Sequence, residues 1–168
     1  SPSPSPTPTG VPSNSIFPLK KSTNPNARYL VDQNNQPYFL NGDTAWSFIG
    51  QVSLEDAKLY IDDTVAKGFN SLIITLVESY YADNAPANYY NVQPYTTPGK
   101  FTTPNEAYFA HADAVLNYAA SKNLNILLAP NYLGWNGGGD GYWNELRDLN
   151  TEQDSRWFGE WVGNRYKN

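Results

Sequence analysis

Acidic, amide and aromatic side chains at the ends of apolar runs carry the chemistry this sequence can do. Asp43 and Trp46 stand in Asn41-Gly42-Asp43-Thr44-Ala45-Trp46-Ser47, Glu78 follows the apolar run Ser71–Val77, and Asn131-Tyr132 follows Asn125–Pro130. A carboxylate accepts hydrogen bonds or moves a proton, an amide both donates and accepts, and an indole or phenol ring offers the flat apolar face on which sugar rings stack. Trp135, beside a stretch with glycine at 134, 137–139 and 141, adds another ring. The set fits a polar, ring-shaped ligand, a carbohydrate. Each member also has a structural reading, Asp43 as a turn cap and Trp46 as a core plug.

Composition removes several other chemistries. Cysteine is absent and His111 is the only histidine, so a zinc site of the usual His or Cys kind cannot be assembled. No serine sits in a G-x-S-x-G elbow, and the glycine-rich stretch lacks the Lys-Ser/Thr ending of a phosphate loop. No cofactor is expected. A net charge of −5 and a pI near 4.7 argue against nucleic acid or an anionic membrane as partner. No window approaches about 18 consecutive apolar residues, the length that spans a bilayer.

The elements that must position these residues are legible in the patterning. Arg28–Val31 and Tyr38–Leu40 flank the polar cluster Asp32–Gln36 and read as a hairpin, its second strand starting at Pro37 and either running into Asn41-Gly42-Asp43 or ending so that it leads there. Ser53-Leu54-Glu55-Asp56 resembles a capping box, and Ala57, Tyr60, Ile61, Thr64 and Val65 recur at helical spacing until Lys67-Gly68. Ser71–Val77 reads as a parallel strand buried on both faces. Residues 79–102 form a long loop rich in tyrosine, expected to serve as a substrate wall. Thr103-Pro104-Asn105-Glu106 reads as a second capping box with proline at the first helical position, opening a helix that faces inward through Phe109, Ala112, Leu116 and Ala119. Asn125–Pro130 is expected as a third buried strand, 133–144 as a mobile aromatic loop, and Thr151 as the start of a last helix carrying Trp157, Phe158, Trp161, Val162 and Tyr166. Strand, helix, strand, helix, strand, helix points to an α/β fold of right-handed βαβ units around a parallel sheet. In such sheets ligands bind at the carboxyl ends of the strands, which puts Asp43, Trp46, Glu78, Asn131 and Tyr132 on one rim.

Residues 1–15 differ in kind. Ser1 to Thr9 alternates proline with Ser or Thr, a semi-rigid spacer with no apolar face, and is expected to join an upstream module of a secreted, extracellular protein to the domain at 16–168.

Four ordered blocks resemble the apiosidase-like glycoside hydrolases. They are Phe39-Leu40-Asn41-Gly42-Asp43-Thr44-Ala45-Trp46-Ser47, Ala66-Lys67-Gly68-Phe69-Asn70, Pro104-Asn105-Glu106-Ala107-Tyr108-Phe109-Ala110-His111-Ala112-Asp113, and Gly163-Asn164-Arg165-Tyr166-Lys167-Asn168. The resemblance implies a secreted bacterial enzyme with a (β/α)8 TIM barrel that cleaves glycosidic bonds in plant or other complex polysaccharides without a metal. In that family the helix ending Arg-Tyr-Lys leads to a fourth strand that supplies one catalytic carboxylate, and a later strand supplies the other. The present residues correspond to about three of the eight βα units, preceded by the hairpin. The expectation is therefore a portion of the catalytic domain that contributes substrate-binding residues (Asp43, Trp46, Glu78, Asn131, Tyr132 and Trp135), holds no catalytic residue, and by itself is inactive and either poorly soluble, oligomeric or loosely packed.

Two further readings concern single residues. Asp43 and Glu78 as the catalytic pair would need to lie roughly 5 to 9.5 Å apart. His111 reads as a buried structural residue near the site, with Asp113 as its orienter. The alternatives at the level of the whole chain are a non-catalytic glycan-binding or adhesion module and a small doubly wound domain.

Overall fold

The computed structural model describes residues 16–167. The spacer expected over residues 1–15 lies outside the described residues.

Two three-stranded sheets are joined end to end. The first is antiparallel, in the order β1 (Lys20–Lys21), β2 (Leu30–Val31) and β3 (Pro37–Tyr38), with Leu30 opposite Tyr38 and Val31 opposite Pro37. Asp32 closes the β2–β3 turn, its carboxylate accepting from the Gln36 N–H at 2.8 Å. The second sheet is parallel, in the order β4 (Gly42–Thr44), β5 (Ser71–Val77) and β6 (Asn125–Asn131).

Of the two courses expected for Pro37 to Asp43, the chain takes the second: β3 ends and leads to a new strand, β4, in the other sheet. Asn70 explains the break. Its side chain donates to the Phe39 carbonyl (2.7 Å) and accepts from the Asn41 N–H (2.8 Å), while the Tyr38 hydroxyl donates to its carbonyl (2.9 Å). These bonds turn the chain from one sheet to the other. Gly42 then runs so near β5 that a Cβ would lie 2.8 Å from the Ser71 carbonyl oxygen, which makes glycine a steric requirement there.

Helices cover one face of the parallel sheet. The short α1 (Phe48–Gln51), not legible in the sequence, follows β4. It is followed by α2 (Leu54–Ala66), capped by Ser53, whose hydroxyl accepts from the Asp56 N–H, and stopped at Lys67 and Gly68, the latter at φ +84°. Helix α3 (Glu106–Ser121) begins later than its expected capping box. Asn105 is the cap, accepting from the Ala107 N–H, and the Thr103 hydroxyl donates to the Lys100 carbonyl inside the preceding loop instead. Leu72, Ile74 and Leu76 of β5 are almost fully buried with Ala57 and Ile61 of α2 and with Tyr108, Phe109, Ala112 and Val115 of α3. Among the described strands of the parallel sheet, β5 alone has a neighbour on each side. The third strand, expected to be buried throughout, is the sheet edge, and Leu127 is left exposed.

Beyond β6 stand α4 (Trp143–Leu149), where a continuous loop was expected up to Asn144, and α5 (Glu152–Tyr166). Thr151 and Asp154 form a reciprocal capping box at the start of α5. Phe158 and Val162 bury its inward face, Trp161 packs edge to face with Phe109 at 4.6 Å, and Arg165 clamps α5 to α3 through a two-pronged pair with Asp113 (3.0 and 2.7 Å).

Candidate functional site

The carboxyl ends of β5 and β6 meet in a polar and aromatic rim. Glu78, 2% exposed, follows β5 directly. One of its oxygens, Oε1, accepts three backbone N–H groups, those of Ser79 (2.9 Å), Tyr80 (2.9 Å) and Tyr81 (3.2 Å). The other, Oε2, accepts from the Ser47 hydroxyl at 3.3 Å. Glu78 therefore folds the first turn of the β5–α3 loop and ties it to the segment after β4. Its acceptor capacity is directed at the protein, and what it presents to the rim is the two exposed rings of Tyr80 and Tyr81, packed edge to face at 5.1 Å.

At the end of β6, the Asn131 amide is paired with the buried Tyr95 hydroxyl. Tyr132 and the loop after it are organised by Asp140. This carboxylate accepts from the Tyr81 hydroxyl (2.9 Å), the Tyr132 hydroxyl (3.4 Å) and the Trp135 N–H (3.0 Å), so it joins the β5 and β6 loops. The Tyr81 bond, more than any other contact, holds Asp140 below the usual carboxylate range, and the same bond pushes the Tyr81 phenol up to about 12. Burial, with the Asp140 charge second, raises the Tyr132 phenol. Gly134, at φ +96°, is needed beside it, because a Cβ there would fall 2.7 Å from the Asp140 carboxylate. Trp135 projects from this loop, 81% exposed. Asp140 and Tyr81 are not legible as a unit in the sequence. The available signal was one carboxylate inside a glycine run, with no partner nearby in sequence.

The remaining expected site residues lie elsewhere. Asp43 is not at the strand end. It is in register with Leu72, on the face toward α2, where the Tyr60 hydroxyl donates to it at 3.1 Å. Six strand positions, roughly 20 Å, separate this level from Glu78, and that distance excludes the two as a catalytic pair. Trp46 is half exposed, its carbonyl accepting from the Thr75 N–H at 2.8 Å, nearer the rim than Asp43. His111 is buried under the Tyr90 ring at 5.2 Å, and burial lowers its pKa against the opposing pull of the Ile49 and Val52 backbone. Asp113 does not orient it, being held by Arg165. Among the described residues no group of three or more His, Asp or Glu side chains is arranged to hold a metal ion.

Residues 24–168 match the model of the family described as "Apiosidase-like, catalytic domain". The chain belongs to that family. Two solved structures share the fold of this apiosidase-like chain. One, described as a glycoside hydrolase, superposes with a TM-score of 0.68 at 21% identity, covering 93% of this chain and 32% of its own. The other, a glycoside hydrolase family 5 protein from Bacteroides vulgatus ATCC 8482, gives a TM-score of 0.65 at 21% identity and covers 84% of this chain and 29% of its own. The apiosidase-like chain thus spans about a third of the length of these proteins. No curated protein matches it. No helix among its described residues is long and apolar enough to cross a membrane.

Chemically, the rim of this apiosidase-like chain can stack and hydrogen-bond. Tyr80, Tyr81, Tyr132 and Trp135 supply ring faces, while the Asn131 amide, the phenol hydroxyls and the Asp140 carboxylate supply polar contacts.

Proposed function

We propose that this chain is the first part of a secreted glycoside hydrolase, contributing about three βα units and the preceding antiparallel sheet to a (β/α)8 barrel. It supplies sugar-binding residues at the strand ends, and the carboxylates that break the glycosidic bond come from other strands of the same enzyme. The observation that carries this reading is the family match over residues 24–168. The rim supports it: Glu78 and Asp140, its two carboxylates, are each engaged by three or four donors of the protein itself, an arrangement suited to shaping a site rather than to proton transfer. Trp46, Asn131, Tyr132 and Trp135 are the substrate contacts, and Asp43, facing α2, serves the fold.

The substrate class is a plant or other complex polysaccharide. The decisive experiment assays the complete protein and the 168-residue chain separately on a panel of aryl glycosides and polysaccharides. Hydrolysis by the complete protein and none by the chain alone is the expected result. Hydrolysis by the chain alone would put the reacting acids among the residues described here.

A non-catalytic glycan-binding module is the second reading, favoured by the exposed Tyr80, Tyr81 and Trp135 rings. It predicts sugar binding by the complete protein with no bond cleavage on any substrate.

A further inference from the structure

The loop after β6 closes on itself, although its glycine content reads as mobility in the sequence. Across its neck the Tyr142 N–H donates to the Tyr132 carbonyl (2.9 Å), within it the Gly138 N–H donates to the Trp135 carbonyl (2.9 Å), and a Cβ on Gly141 would overlap the Gly134 backbone. The two oxygens of Asp140 serve different partners. Oδ1 bonds within the loop, accepting the Trp135 N–H (3.0 Å), while Oδ2 accepts the hydroxyls of Tyr132 (3.4 Å) and, across the rim, of Tyr81 (2.9 Å). The Tyr81 and Tyr132 rings lie 6.1 Å apart, tilted against each other. Trp135 is thus joined to the β5 wall through one carboxylate, and the Tyr81 hydroxyl is the link on that side.

We infer that Tyr81 is a positioning residue for Trp135: its hydroxyl, bonded to Asp140, fixes the loop in the arrangement that presents the indole face to a sugar ring, and it does so without touching that sugar. The bond is charge-assisted, since Asp140 accepts as a carboxylate, and such bonds are shorter and stronger than neutral ones. Gly134 and the run from Gly137 to Gly139 restrain the backbone on either side of Trp135 only weakly, so the bonds of Asp140 decide where the indole stands. A stacking surface held in place before the ligand arrives loses less conformational freedom on binding than one that the ligand must order. The Tyr81 hydroxyl therefore raises affinity at a ring that belongs to the other wall.

This inference rests on the proposed role of Trp135 as a sugar contact, and its test keeps the two apart. Binding of xylose, galactose and galacturonic acid oligomers of equal length is measured by calorimetry on the complete protein carrying Tyr81→Phe, Trp135→Ala, or both. Phenylalanine keeps the ring of Tyr81 and removes only its hydroxyl. For the oligomer that the parent protein binds most tightly, Y81F is expected to weaken binding roughly five-fold when Trp135 is present and less than about two-fold in the W135A background. A second cycle, Asp140→Asn with W135A, is expected to show the same dependence on Trp135 with the tyrosine left intact. Equal losses from Y81F in both backgrounds would assign the hydroxyl to a direct sugar contact, and no loss in either would mean that the loop is held by other groups. Each of these results overturns the inference. Binding of none of the oligomers overturns it as well, and hydrolysis of aryl glycosides by the parent protein then decides separately whether the enzymatic reading survives.

Discussion

The two walls of the rim are each built on one carboxylate, and they use it in opposite ways. On the β5 side Glu78 is buried and accepts three consecutive backbone N–H groups, so it is part of the chain's folding. On the β6 side Asp140 sits in a glycine-rich loop and accepts from the Tyr81 phenol of the other wall as well as from Tyr132 and Trp135 of its own, so it joins the two walls. A buried acceptor with several donors is costly to remove, because each donor left behind is desolvated without a partner. Around a half-buried one such as Asp140, water can take the vacated place. Loss of Glu78 should therefore be felt in stability, and loss of Asp140 in the shape and charge of the site.

The largest effect is expected from Glu78→Ala. It orphans the N–H groups of Ser79, Tyr80 and Tyr81 and empties a buried volume, at a cost of about 3 kcal/mol, read as a lower urea midpoint of the complete protein. Glu78→Gln keeps one oxygen for the three N–H groups and should lose less than half as much. An alanine variant as stable as its parent would show that the two walls do not differ in this respect.

Gly134→Ala should come next. Its positive φ and the 2.7 Å approach of a Cβ to the Asp140 carboxylate together cost about 1–3 kcal/mol if the loop keeps its course. A loop free to move would show little loss of stability and a large loss of sugar affinity instead. Comparing urea unfolding with oligosaccharide titration on the same variant separates the two outcomes.

What could be read from the residues alone divides along the same line. Helices α2 and α5 were legible because their signals are local: a Ser or Thr cap, apolar positions at helical spacing, and Gly68 as a stop. Family membership was legible because four motifs keep their order along the chain. Asp43 was misplaced because its position depends on where β3 ends and β4 begins, and that is decided by the Asn70 side chain, about thirty residues away. Asp140 was missed for a related reason. Its main partner, Tyr81, is 59 residues distant, and no local pattern links them. Asp113 looked like a partner for His111 from proximity in sequence, whereas Arg165, 52 residues on, is the group that reaches it. Capping and periodicity are short-range physics, and site assembly is not.

The Tyr81–Asp140 bond offers a spectroscopic test of how tightly the walls are joined. Tyr81 is pushed up to about 12 by that bond, so its phenol should ionise well after an ordinary tyrosine in an ultraviolet pH titration. The folded value lies above the unfolded one, so the bond's contribution is complete below about pH 10 and is lost as pH rises through about 12. In D140N the Tyr81 transition should move back toward 10. An unchanged transition would mean that something other than the Asp140 contact sets it.

The smallest effect lies outside the rim and serves as the control for the comparison. Asp154 in the α5 capping box is held near 2 by Lys100 first and then by the Thr151 N–H and hydroxyl. Its folded value lies below the unfolded one, so its contribution is present above about pH 4 and disappears as pH falls through about 2. Unlike Asp140, it bonds groups of its own helix start and one lysine, and no residue of the rim. Asp154→Asn should therefore flatten the acid limb of the stability curve between about pH 4 and pH 2 and leave oligosaccharide affinity at neutral pH unchanged. If it weakens sugar binding as D140N is expected to alter it, then α5 and the β6 loop respond as one unit, and the division between carboxylates that fold the chain and carboxylates that shape the site does not hold.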